Sequence, residues 1–152
     1  MTHGSAWAAL ILRLTVGAIY VMHAWMAVAV VTPNAMAAFV VRMGVPAYAV
    51  PVVVWYTIAA HAVGGALMII GLWTRAAAVA NLPIMLAALA VLHYPQGFFM
   101  TGVVADRSTG RIVVAGYEFA LLVLAATAAL ALIGAGAFSI DHAKRSSPGR
   151  RR

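Results

Sequence analysis

The sequence predicts an all-α membrane protein: a four-transmembrane-helix bundle with a short interfacial helix between helices 1 and 2 and both termini cytoplasmic. Three observations predict it. Of 152 residues, 65% are hydrophobic and 9% charged, whereas a soluble domain is about a quarter charged. Four apolar runs divide the chain, at about 6–31, 50–73, 76–93 and 112–137, each near or above the roughly 20 residues that cross a hydrocarbon core. The Lys and Arg residues fall unevenly on the two sides of those runs. A water-soluble fold of this size could not bury so much apolar surface without a large oligomer. Lipid supplies no partner for a free N–H or C=O, so the spans must be helical. Strand-like alternation is absent, which excludes a membrane β-barrel.

The first run, Ala6 to Val31, contains Ala27-Val28-Ala29, which resembles a cleavage site. No Lys or Arg precedes Arg13, however, and the run exceeds the roughly 7–15 apolar residues of a signal core, so it reads as a retained span. The connection "TPNAMAAFVVRMGVPAYAVP" follows, bounded by Pro33 and Pro51. Within it, Met36, Phe39, Val40 and Met43 recur at helical spacing with Arg42 opposite, the pattern of a helix lying on the outer surface. Gly44 and Pro46 end it. The second run, Val50 to Trp73, and the third, Ala76 to His93, are joined only around Thr74, so they form an antiparallel hairpin. Tyr94, Pro95, Gly97 and Gly102 then lead to a polar turn at Ser108 to Gly110. The fourth run spans Ile112 to Ala137, and one domain accounts for residues 1–141. Beyond Asp141 the basic tail, 142–152, is expected to be disordered in the cytoplasm. Ala60 with Gly64 and Gly65, and Ala125 with Ala129, are candidate close-packing sites between helices.

Charge sets the orientation. Arg13, Arg75, Lys144, Arg145, Arg150, Arg151 and Arg152 fall on one side of four spans, and Arg42, Arg107 and Arg111 on the other. Seven against three puts both termini in the cytoplasm of a multi-pass protein in the cell membrane. The net charge of +7 reads as topology and contact with anionic lipid, not as a nucleic-acid surface, because no aromatic or glycine motif accompanies the basic cluster. Cysteine is absent, which removes disulfides, thiolate metal sites and dithiol-to-quinone electron transfer together.

Inside the spans the ionisable residues are Arg13, His23, His61, His93 and Glu118. Charge in a bilayer is costly, so such groups face the bundle or a wet cavity. His61 lies near the middle of its helix, on a face with Gly64, Gly65 and Met68, which marks an interior position. His23, His93 and Glu118 fall in the outer half. His93 ends the third span and Glu118 begins the fourth, with Tyr94, Tyr117, Phe98 and Phe99 as an aromatic rim. A carboxylate beside an imidazole favours the charged forms of both, suited to a proton relay or to a polar wall for a quinone head group. His23, His61, His93, Glu118 and Tyr117 are therefore the candidate polar or quinone site. A bis-histidine haem is not expected from spacing alone. Arg13 either extends to the head groups or turns inward to form a cytoplasmic-side ion pair with Asp141.

The stretches "ILRLTVGAIYVMHAW", "GGALMIIGLWTRAAAV", "LHYPQGFF" and "GYEFALLVLAATAALALIGAGAFSID" carry a resemblance. In that order and spacing the chain resembles the DoxX family of small four-helix membrane proteins, which is related to the small subunit of thiosulfate:quinone oxidoreductase. The family pattern falls on Arg13, His23, Gly65, Gly71, Arg75, His93, Gly97, Glu118 and Asp141. Two positions depart from it: Ala27 is near the place of a frequent Lys, and His61 stands where a Glu commonly precedes the paired glycines. The resemblance implies a four-helix bundle and association with membrane redox systems. The expected function is an accessory membrane subunit of a quinone-linked oxidoreductase complex. Its partners would be lipid, oxidoreductase subunits and a second copy of the chain, with no nucleic acid. No metal site is expected, and quinone is the one cofactor that the candidate residues would contact. The alternatives are a small transporter or proton-conducting protein using the histidines, or a structural scaffold without chemistry.

Overall fold

The computed structural model describes residues 3–100, 105–106, 111–112 and 116–146. Helix α1 (His3–Ala29) leads into a short α2 (Pro33–Arg42), then α3 (Val50–Ile70) and α4 (Thr74–Ala87). The last of these continues as a π-helical turn (Ala88–His93) and a 3-10 turn (Tyr94–Gln96). Strands β1 (Ala105–Asp106) and β2 (Arg111–Ile112), helix α5 (Glu118–Ile133) and helix α6 (Ile140–Ser146) follow. Packing closes a ring: α1 lies on α3, α3 on α4, α4 on α5 and α5 on α1, while α2 rests against α3. The result is a four-helix bundle with two distinct ends. The start of α1, the α3–α4 hairpin and α6 share one end, here the terminal end; the opposite end, with α2 and the segment between α4 and α5, is the loop end.

The exposed surface identifies the solvent. Tyr20, Met68 and Leu130 are buried in the core, while Ile11, Val52, Leu122 and Leu132 are 62%, 69%, 65% and 77% exposed. Leaving such side chains in water forfeits about 25 cal/mol for every Å² of apolar surface, so a hydrocarbon surround is the physical solution. Three helical stretches are long and apolar enough to cross a membrane: His3–Ala29, Val50–Ile70 and Thr74–Gln96. The fourth, α5, has 16 residues and spans only about 24 Å.

Small residues decide where the helices touch. A Cβ added at Gly17 would lie 2.7 Å from the Gly65 carbonyl oxygen, and one at Gly65 would lie 2.8 Å from that of Gly17. Thus α1 and α3 cross backbone to backbone, as the paired glycines of the second run led one to expect. Gly64 faces the other way and makes room for Asn81 of α4. The Ala125–Ala129 spacing does not mark a contact: Ala125 is exposed, and α5 buries Ala120, Val123, Thr127 and Leu130 instead. Alanine is so common here that the spacing carried no information about which face turns inward.

Several boundaries differ from the sequence expectation. The helix between the first two spans forms at Pro33–Arg42, with Pro at its first turn and the Thr32 side chain accepting from Ala35 N–H at 3.3 Å. Gly44 follows it at φ +85°. The three residues Gly71 to Trp73 make the expected hairpin, with Gly71 at φ +70° closing α3. The fourth span does not begin at Ile112, which pairs with Ala105 in an antiparallel ladder. It begins at Glu118, after Gly116, where a Cβ would lie 2.7 Å from the carbonyl oxygens of both Gly97 and Phe98. It ends at Ile133, before Gly134 at φ +77°. The polar turn at 108–110 lies outside the described residues, as does the tail beyond 146. Residues 142–146 were expected in the disordered tail but are helical, because Ser139 caps α6: its hydroxyl accepts from His142 N–H at 3.1 Å.

Candidate functional site

One polar layer crosses the bundle, built from all four packed helices. Helix α1 contributes Tyr20 and His23, α3 His61, α4 Asn81 and α5 Thr127. The Tyr20 and His61 rings lie 4.7 Å apart and those of His23 and His61 6.3 Å apart. Thr127 donates its only hydroxyl proton to the Val123 carbonyl at 2.7 Å. It must therefore accept from the Tyr20 hydroxyl, 2.6 Å away. Asn81 donates from Nδ2 to the carbonyls of Ala60 at 3.0 Å and Ala77 at 2.9 Å. Those two acceptors fix which end of the amide is nitrogen.

The layer is incompletely satisfied. His61 is 7% exposed and Asn81 fully buried. The Asn81 side chain acts on the His61 ring, but His61 Nδ1 and Asn81 Oδ1 make no hydrogen bond of normal geometry, as is also true of Arg13 Nε and Thr74 Oγ1 at the terminal end. Buried polar atoms are nearly always paired, so an unpaired one calls for an explanation. His23, by contrast, sits on the outer face of the bundle. Its Nδ1 lies 2.8 Å from the Ile19 carbonyl, which can only accept, so Nδ1 carries the proton and the neutral ring keeps its acceptor at Nε2. An outward-facing imidazole thus stands against an enclosed one.

The loop end gathers the other candidates. His93 closes the π-helical turn, and its neighbour Tyr94 stacks on Tyr117 at 5.6 Å. Phe98 packs edge-on against Tyr117 at 5.2 Å. Next to Tyr117, Glu118 accepts from Met100 N–H at 2.8 Å and donates its own N–H to Phe98 O at 3.0 Å, while Tyr117 N–H reaches Gly97 O at 3.0 Å. His93 ends the π-helical turn that follows α4, and Glu118 is the first residue of α5. The ring of His23 lies against that of His61. The Glu118 carboxylate holds the 97–100 loop onto the start of α5, a structural task.

At the terminal end Arg13 turns inward. It is 4% exposed, which excludes extension to the head groups. Nη1 donates to the carbonyls of Ile69 at 3.0 Å and Met68 at 3.4 Å, and Nη2 to that of Phe138. Asp141 attracts it electrostatically. The carboxylate also accepts from Trp73 N–H at 2.9 Å and Thr74 N–H at 3.2 Å, so it caps the start of α4. Arg13 and Asp141 therefore belong to one junction, each also tied to backbone groups of the α3–α4 turn.

Counting ionisable groups alone overlooked Tyr20, Asn81 and Thr127, which are neutral. An Asn inside an otherwise apolar span was the available signal, since such side chains bond across helices in lipid.

The DoxX family model matches residues 8–94, more than half of the chain, and the chain belongs to the DoxX family. The matched stretch holds Arg13, His23, His61 and His93; Glu118 and Asp141 lie beyond it. No curated protein and no solved structure matches the chain.

Proposed function

We propose that this DoxX-family membrane protein is an accessory subunit of a quinone-linked redox complex in the cell membrane, and that it meets a quinone head group from the lipid at the seam between His23 and His61. One observation carries the reading: an enclosed imidazole beside the Asn81 amide, its Nδ1 without a hydrogen bond of normal geometry, stands behind an outward-facing imidazole. A quinone is dissolved in hydrocarbon and carries carbonyl oxygens that need hydrogen-bond donors. When bound, it supplies two-electron, two-proton redox chemistry. His61 would donate to it, and Asn81 would present an acceptor to the reduced form. The chain has no cysteine and no cluster of metal-ligating side chains among its described residues, so electrons would come from a partner subunit. In this reading α5 is the fourth crossing, α2 lies along the outer interface, and both termini face the cytoplasm, as the excess of basic residues on that side favours.

The test is binding of a short-chain benzoquinone to the purified protein. His61→Leu removes the donor while keeping the volume, and is expected to weaken binding about tenfold, or ~1.4 kcal/mol. His23→Ala weakens it less. Glu118→Gln leaves binding unchanged, which separates this site from one at the loop end. Failure to bind quinone, with no oxidoreductase co-purifying, would remove the proposal. Proton flux into proteoliposomes that is abolished by His61→Leu would replace it with a conducting role for the same layer.

A further inference from the structure

We propose that the groove at the terminal end, between Trp73, Arg75 and Lys144, binds the phosphate of an anionic phospholipid. The groove holds about 360 Å³ and is walled by the α3–α4 turn, the start of α4, the Gly134–Ala135 link and α6. Two cations, Arg75 and Lys144, line it and are exposed. The one carboxylate in its wall, Asp141, is engaged by the backbone N–H groups of Trp73 and Thr74 and by the electrostatic attraction of Arg13. The groove therefore presents net positive charge.

Its position matches the ligand. Arg75 is the second residue of a membrane-crossing helix, so the groove opens at the level where lipid phosphates lie. Trp73 is 67% exposed and is held outward by a turn with φ +50°. An indole at that depth sits in the head-group layer, with its N–H toward polar lipid atoms and its ring toward the acyl chains. Arg75 is positioned by the absence of a side chain opposite: a Cβ at Gly134 would come within 2.9 Å of its Nε. Its planar guanidinium can meet two phosphate oxygens at once, while Lys144 adds a point charge from a separate helix. Free phosphate offers the same oxygens, but only a lipid also uses Trp73. The site does not depend on the quinone reading.

The test measures which lipids the full-length protein retains from mixed micelles, by native mass spectrometry, with phosphatidylglycerol set against phosphatidylcholine of the same chains. The wild-type protein is expected to prefer phosphatidylglycerol. Arg75→Gln and Lys144→Gln should each lower that preference about fivefold, and Arg75→Lys should keep more of it than Arg75→Gln. Replacing Arg150, Arg151 and Arg152 by Gln should leave most of it. Lys144 is exposed on the last described helix, so its substitution reads binding without disturbing the bundle. An unchanged preference in the double Gln variant would overturn the site, and so would its complete loss on neutralising the tail alone. Displacement of the lipid by inorganic phosphate would assign the groove to the free anion and overturn the lipid proposal.

Discussion

The terminal end and the mid-bundle layer both bury polar side chains, and both leave two buried atoms without a hydrogen bond, Arg13 Nε and Thr74 Oγ1 at the first and His61 Nδ1 and Asn81 Oδ1 at the second. They differ in what the side chains hold. Around Arg13 the guanidinium donates to three carbonyls on two segments, and Asp141 takes two backbone N–H groups. Around His61 the polar atoms converge from four helices. Saturated polar groups hold a fold together, because removing one strands the others without partners. The first region reads as a clamp because its charged side chains bond backbone groups of separate segments, and the second as a site because its enclosed imidazole stands against an outward-facing one.

Substitution would break or sharpen that contrast. The largest effect is expected for Arg13→Leu, which takes the donor from the carbonyls of Ile69 and Phe138 and the cation from Asp141, and should cost about 3–5 kcal/mol in detergent unfolding. Gly65→Ala comes next, since its methyl group meets the Gly17 carbonyl; overpacking of this kind costs about 1–3 kcal/mol, and Gly17→Ala should match it. Asp141→Ala removes the cap of α4 and should lower stability by about 1–2 kcal/mol. The smallest change is expected for His61→Leu, within about 1 kcal/mol of wild type, because the lost interaction with the Asn81 side chain is offset by a polar atom leaving an enclosed position. A loss of several kcal/mol from His61→Leu would erase the distinction and make the layer a second clamp. An Arg13→Leu variant that unfolds like the wild type would erase it from the other side.

Much of the fold was legible before the structure. Apolar length located the helices, the few residues around Thr74 required a hairpin, and Gly64–Gly65 marked a close crossing. The shared face with Gly64, Gly65 and Met68 correctly turned His61 inward. Other features were not legible, because they depend on which helix faces which. Spacing along a helix gives the depth of His23 but not its neighbour within the candidate group of His23, His61, His93, Glu118 and Tyr117; the structure sets its ring against that of His61 on α3. The start of the fourth helix was displaced by the ladder that joins Ala105 to Ile112, a pairing between segments that no hydropathy pattern encodes.

The sequence by itself determined the solvent and the helical character of the apolar runs. With 65% hydrophobic residues and no alternation, only helices in lipid satisfy every backbone group. Tertiary structure alone decided which polar side chains are completed and which are left open. Pairing is a property of the space between helices, and that space is set by where glycines let backbones touch. Tyr20, Asn81 and Thr127 carry no charge to mark them in a linear reading, yet the ring of four helices brings them into one layer with His61.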